Sequence, residues 1–537
     1  MAQNAVFGIN SNLDTQDIIN KMVSLEARSM DLVEAKKQIE QQKLASFQEL
    51  KNRLQTFKSV TTTLNTESRF IENKSVFSNN SFSDSNKVVD ITTTSSATSG
   101  TYSLIVNNLA TESKLVTGGY AETTTSIGSG TVRIVIGSSA SATVTIDSTN
   151  NTLDGLRLAI NNLGLNVKVS FLNDGDATNP YRLLISGTQT GSSGAVTMST
   201  NITSGTVTMG FYSTQTAQNA RLSLDGVSIT KSSNTVTDII TGAALKLQSA
   251  GSGTISLSTD TEAITTKVSD FVDEYNDLSL FLREQLALDS ESEETGVLFG
   301  NFAVQNLQQI LRSSISSKVT GISGDYTYLS QIGITTQSDG TIILDTDDFS
   351  DALVGDIENV SQLFSSNGSV TNSSVAYVGF TSDTEPGYYD IQVSDGVPQL
   401  SNSGASTFVN ASGSGNFWAG SSGDSTGLNF RISSLTDGSY GQISLSIGVA
   451  EILNRELKDM VDSSLNGPLV TELDTIKETV DDYNETLLEQ AERLLEFEES
   501  LKARFTNLEI VLGRLNAQKD TFNSALAGIQ NIFSKRK

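Results

Sequence analysis

The stretch LLEQAERLLEFEESLKARFTNLEIVLGRLNAQKDTFNSALAGIQNIF (487–533) decides the fold. Leu487, Leu494, Leu501, Leu508, Leu515, Phe522 and Ile529 follow one another at steps of seven. Beside that column stand Ala491, Phe505, Leu512, Leu526 and Phe533 at plus four, and Phe497, Val511, Ala525 and Ile532 at plus three. Apolar residues at heptad spacing predict a helix that buries one face against another helix. Glu489/Arg493 and Glu498/Lys502 sit at i, i+4 with the acid first, the favourable order on an exposed face. Gly513 and Gly528 interrupt the run, each at about 1 kcal/mol against Ala. The last turns are therefore expected to order only with a partner.

A second helical stretch opens the chain, over 14–70. Asp14 is its natural N-cap, Asp17 sits at N3, and Leu13 can staple onto Ile18. Ile18, Met22, Leu25, Leu32 and Ile39 make one apolar stripe. The register then slips, and Leu44, Phe47, Leu50, Leu54, Phe57 and Leu64 make another. The inner parts of the two terminal helices are expected to pair as an antiparallel hairpin. The outer turns, the first dozen residues and the tail Lys535-Arg536-Lys537 are expected to serve a partner. The expected assembly seam is Leu13, Ile18, Met22, Leu25 and Leu32 with Leu494, Leu501, Leu508, Leu515, Phe522 and Ile529.

Between these ends the texture is Ser, Thr, Asn and Gly with alternating strand patterns. Lys87–Thr94 and Gly100–Asn107 read as strands, as do Ala220–Leu224, Val227–Thr230, Ala244–Gln248 and Gly253–Ser258. Within 116–218, a hairpin (131–136 with 142–146), one amphipathic helix (152–162) and further strands form a small α+β module. Helices are predicted over 261–288, 302–314 and 348–364, with a hairpin about Asp339-Gly340. Residues 368–447 are again stranded and hold the only tryptophan, Trp418. GTYSLIVNN (100–108) resembles GYYDIQVSD (387–395), and GAALKLQSAGSGTISLS (242–258) resembles GLNFRISSLTDGSYGQISLS (427–446). Either these are unrelated hairpins of similar composition, or 368–447 repeats the module made by 76–115 with 219–258.

The expected fold is thus multidomain α+β. A long coiled-coil leg formed by both termini carries nested β-rich heads. The expected divisions are a leg at 1–75, a head at 76–115 with 219–258, a nested module at 116–218, a leg domain at 259–367, an insert at 368–447, and a C-terminal leg at 448–537.

The chain has 537 residues, 37% hydrophobic and 18% charged, with net charge −26. Such an acidic chain offers no basic face to nucleic acid. It has no Cys and no His, which excludes Cys/His zinc sites, Ser-His-Asp triads and cysteine nucleophiles. No apolar run approaches the roughly 20 residues of a membrane helix. MAQNAVFGIN lacks a basic region followed by an apolar run, so export would use another route than the ordinary signal. Asp345 to Ser350 resembles a calcium loop, but Phe349 and Ser350 stand at its fifth and sixth positions and break the pattern. Asp481/Asp482 read as a solvated helix face, and ASGSGNF (411–417) lacks the Lys-Ser/Thr of a phosphate loop. No active site, cofactor or metal is expected.

Four segments together resemble the flagellar filament cap family, hook-associated protein 2. They are GINSNLDTQDIINKMVSLE (8–26), NTVTDIITGAALKL (234–247), LSQIGITTQSDGTIILD (329–345) with VSQLF (360–364), and LLEFEESLKARFTNLEIVLGRLNAQ (494–518). The resemblance covers roughly 8–107, 219–366 and 445–533. It implies a secreted protein at the flagellum tip, a homo-oligomeric ring of five, and flagellin, the hook–filament junction protein and an export chaperone as partners. A host glycan is a compatible further partner, and membrane insertion is not implied. The competing classes are another axial structural protein, such as flagellin or a junction protein, a surface adhesin, and a polysaccharide hydrolase.

Overall fold

Asp14 starts the first helix as its sequence requires. Its carboxylate accepts from the Asp17 amide at 3.0 Å, and α1 runs from Thr15 to Leu64. The computed structural model describes residues 13–80, 87–138, 140–204, 207–288, 295–322, 324–465 and 467–534. The remaining helices are α2 (Glu67–Phe70), α3 (Leu153–Asn161), α4 (Thr261–Gln285), α5 (Phe302–Ser316), α6 (Thr346–Phe364), α7 (Val449–Val461) and α8 (Pro468–Ser534). α8 passes through both Gly513 and Gly528 without a break. Two glycines cost about 2 kcal/mol, too little to stop a helix of this length whose other residues favour it.

The chain gathers into two units. One comprises Met1–Asn65, Val268–Phe349 and Gly368–Lys537; the other comprises Thr66–Lys267 and Ser350–Asn367. Of the expected leg domain 259–367, residues 259–267 and 350–367 therefore gather with the first head, and only 268–349 with the terminal helices.

In the first unit, the slip of register along α1 changes what the helix faces. Phe47, Leu50, Leu54, Phe57 and Leu64 are all buried. Phe57 meets Phe271 of α4 at 5.4 Å between ring centroids and Tyr275 at 6.2 Å. Burial pushes the Tyr275 hydroxyl up to about 12, so it stays neutral at ordinary pH. Arg53 pairs with Asp277 of α4 and lies over the Phe281 ring at 4.9 Å. The short hairpin Ile334–Thr336 with Ile342–Leu344 is fastened to α4 through Asn276, whose amide donates to Ile342 O (2.8 Å) and accepts from Ile342 N (2.7 Å). Its turn is a five-residue loop closed by Gln337 and Thr341, longer than the Asp-Gly pair alone suggests.

The β regions repeat one topology. In the second unit a five-stranded sheet has the order Asn73–Asn79, Gly251–Thr259, Gly100–Asn108, Ala220–Leu224, Val227–Lys231. A three-stranded sheet, Thr235–Ile240, Ala243–Leu247, Val89–Thr93, supplies the other residues of the same core. The insert has a five-stranded sheet in the matching order: Ser366–Val370, Gly438–Ile447, Gly387–Ser394, Val397–Asn402, Val409–Asn410. Its companion sheet pairs Val375–Gly379 with Asn429–Ile432 and then Phe417–Ala419, as Val89–Thr93 pairs with Ala243–Leu247 and then Thr235–Ile240. The similarity between 100–108 and 387–395 and between 242–258 and 427–446 is therefore structural. In each copy the two stretches are neighbouring strands.

The copies differ where the third strand turns into the next. In the insert that turn is Asp395-Gly396, with Asp395 at φ 53°, the left-handed conformation of a two-residue hairpin turn. In the first copy, residues 109–219 intervene. Thr111 and Gln218 close the neck by exchanging backbone hydrogen bonds (2.9 and 3.3 Å). Beyond the neck a separate core forms around Val132, Ile134, Leu156, Ile160, Leu183 and Ile185. Its helix α3 is capped by Thr152 Oγ1, accepting from Gly155 N at 3.0 Å.

We infer that this module is separable. Replacing residues 112–217 by Asp-Gly should leave a soluble chain whose helical circular dichroism per molecule falls only by the share of α3, with one cooperative urea transition for the remaining head. Loss of that transition would show that the head needs the module. In the leg, Phe57→Ala should cost about 3–5 kcal/mol, the usual loss for a fully buried aromatic, measured by urea unfolding. A loss below about 1 kcal/mol would contradict its central place.

Candidate assembly surface

α1 and α8 run antiparallel. Leu50 and Leu54 line one small cavity with Pro468 and Leu469. Earlier on α1, Glu40, Lys43 and Phe47 line a groove with Glu472, Thr475, Ile476 and Thr479. Each step back along α1 is thus a step forward along α8. At the common rise of about 1.5 Å per residue, the start of α1 falls level with residues near 505 of α8. Burial agrees: Thr15 and Ile19 are fully buried, as nearly are Leu501 and Glu509.

The heptad column of α8 is covered unequally as a result. Leu487 and Leu494 are half-buried and Leu501 is 4% exposed. Past the start of α1 the column comes into the open: Leu508, Leu515, Phe522 and Ile529 are between 42 and 66% exposed. Leu501 thus belongs to the packing of a single chain, whereas the four residues after it make an uncovered apolar face.

The stripe expected on α1 divides similarly. Ile18 is half-buried, while Leu13, Met22, Leu25, Leu32 and Ile39 are exposed. The residues that face inward in this half lie about 100° away, at Thr15 and Ile19. Sequence reading missed a second exposed pair, Leu488 and Leu495 on α8, because a column of two residues has no heptad run to announce it. The first twelve residues and the tail 535–537 lie outside the described residues.

The upper end of the leg is held by a polar hub on α7. Glu451 accepts from Asn65 Nδ2 (2.7 Å) and Arg455 Nε (2.8 Å). Thr62 donates to the Asn454 side chain at 3.1 Å. The Arg455 guanidinium lies over the Phe380 ring at 4.5 Å, fastening the insert to α7. Asp345, in the segment that resembles a calcium loop, accepts from the Asp347 and Asp348 amides (3.0 and 3.1 Å) and so begins α6. Among the described residues no three acidic side chains gather as a cation site, and no helix is long and apolar enough to cross a membrane.

Known proteins share this organisation. The family model described as the flagellar hook-associated protein 2 C-terminus matches residues 217–517, and that of the N-terminus matches residues 11–113. The interval between the two matches is the nested module. The B-type flagellar hook-associated protein 2 of Pseudomonas aeruginosa is 30% identical over 390 residues, covering 66% of this chain and 79% of that protein. The flagellar hook-associated protein 2 of Escherichia coli K12 is 29% identical over 395 residues, covering 69% and 82%. A crystal structure of the Escherichia coli flagellar cap protein shares the fold, with a TM-score of 0.54 at 23% identity, covering 80% of this chain and 99% of that one. By these matches and by its architecture, the chain belongs to the flagellar hook-associated protein 2 family.

Proposed function

We propose that this protein caps the distal end of the bacterial flagellar filament as a homo-oligomeric ring, five copies being the expected number, and promotes flagellin folding and insertion there. It is a secreted structural protein of the flagellum tip. The observation that carries the reading is the open end of α8. An apolar column of four large residues extends beyond the helix that covers its first half. A face of that kind in water is unstable unless a partner covers it. The seam residues Leu13, Met22, Leu25 and Leu32 on α1, with Leu508, Leu515, Phe522 and Ile529 on α8, are the assembly surfaces in this reading. Ile18, Leu494 and Leu501 brace the hairpin that presents them.

The test separates assembly from folding. Leu508→Asp with Leu515→Asp changes two residues that are already exposed, so the monomer should melt as the parent does. In the assembled state each lost leucine contact removes about 1.5–3 kcal/mol, and carboxylates there add a desolvation cost. Cells carrying the double variant should release flagellin monomer into the medium and swim poorly. A variant that loses several degrees of melting temperature, or that caps normally, would contradict the reading.

A further inference from the structure

The two outward faces of the leg match each other. On α1, Leu25, Leu32 and Ile39 are 52–67% exposed at steps of seven. Arg28 and Lys36 stand between them, three or four residues from each neighbour, which places all five on one face. Both cations are exposed, and among the described residues neither has a carboxylate partner. On α8, Leu488 and Leu495 are 73 and 63% exposed. Glu485, Glu492 and Glu499 alternate with them at the same spacing, exposed and without cation partners among the described residues. A second acidic column, Asp482, Glu489 and Glu496, runs alongside, and only Glu489 is paired, to Arg493 of its own helix.

Like charges at i, i+3 and i, i+4 oppose helix formation, yet no cation of α1 answers these two columns. The imbalance is built into the chain. α1 carries eight Lys and Arg against six Asp and Glu, whereas α8 carries thirteen Asp and Glu against six Lys and Arg.

The register is the second observation. Counting from the cavity shared by Leu50 and Leu469 at equal rise along both helices, Leu25 falls level with Leu495 and Leu32 with Leu488, to within about half a turn. By the same count Arg28 falls level with Glu492, and Lys36 with Glu485. Within one chain these residues do not cover one another: Leu25, Leu32, Leu488 and Leu495 are each 62% exposed or more. They meet when hairpins stand side by side at the same height.

We propose that the outward face of α1 docks on the outward face of α8 of a neighbouring copy, pairing Leu25 and Leu32 with Leu495 and Leu488 and Arg28 and Lys36 with Glu492 and Glu485. Such a contact uses two different patches of the same chain, which is the head-to-tail arrangement that closes into a ring. The proposal rests on the ring reading above and names the surfaces that make it.

Two experiments on the full chain test it. The chain has no cysteine, so Leu32→Cys with Leu488→Cys introduces the only thiols. Oxidation should give a ladder of covalent multimers, and either single variant should give none. Dimers from Leu32→Cys alone would mean a symmetric contact and overturn the proposal. In the second experiment, Arg28→Glu/Lys36→Glu and Glu485→Lys/Glu492→Lys should each weaken self-association at least tenfold by sedimentation velocity, with unchanged melting. Mixing the two variant proteins should restore pairwise association, because every contact between unlike copies is again of opposite charge, whereas a closed ring of five would keep at least one repelling contact between like copies. A parent that stays monomeric, or variants that assemble like it, would overturn the proposal. So would variants that assemble normally but fail to hold filaments, which would assign the faces to flagellin. Flagellin release into the medium reads the capping function independently of all these outcomes.

Discussion

Everything in the leg depends on the antiparallel pairing of α1 with α8. Long helices gain little from intrinsic propensity and take most of their stability from a buried face. Here each lends the other one. Phe47, Leu50 and Leu54 on one side and Leu469, Leu473 and Ile476 on the other are buried at the end nearest α7, and Ile19 and Leu501 are buried far below them. The pairing also fixes what remains uncovered. α8 is 67 residues long against 50 in α1, and α1 also runs on past the start of α8 at the end nearest α7. The open apolar column is thus a consequence of unequal lengths and of the offset between the helices.

The β regions follow a different economy, in which one topology is used twice and extended once. The insert closes its hairpin with two residues, Asp395-Gly396, where the first head admits the whole module 112–217 through the neck formed by Thr111 and Gln218. A hairpin turn is a natural point of insertion, because its two strands remain paired whatever lies beyond. The family models match on either side of the module and leave it uncovered.

Much of this was legible in the sequence, for physical reasons that are easy to state. The heptad column of α8, the Asp14 cap and the alternating strands are local patterns, and local patterns determine element type. The direction in which a stripe faces is not local. Leu32 and Leu50 are both leucines in helical stripes and cannot be told apart by spacing. One is exposed and the other buried, because only the second lies where α7 and α8 converge. The two-residue turns at Asp225-Gly226 and Asp395-Gly396 carry the same dipeptide as Asp339-Gly340, whose loop is longer. The dipeptide marks a hairpin, and the strand register sets the loop length.

The central claim is that the leg is folded where its helices cover each other and is completed by partners where they do not. Amide hydrogen exchange followed residue by residue, on the free chain and on the chain bound to filament ends, tests it most directly. In the free chain, residues 47–64 should exchange slowly and residues 510–534 rapidly, and binding to filament ends should protect the second segment. Equal protection of 510–534 in the free and bound chain would contradict the claim.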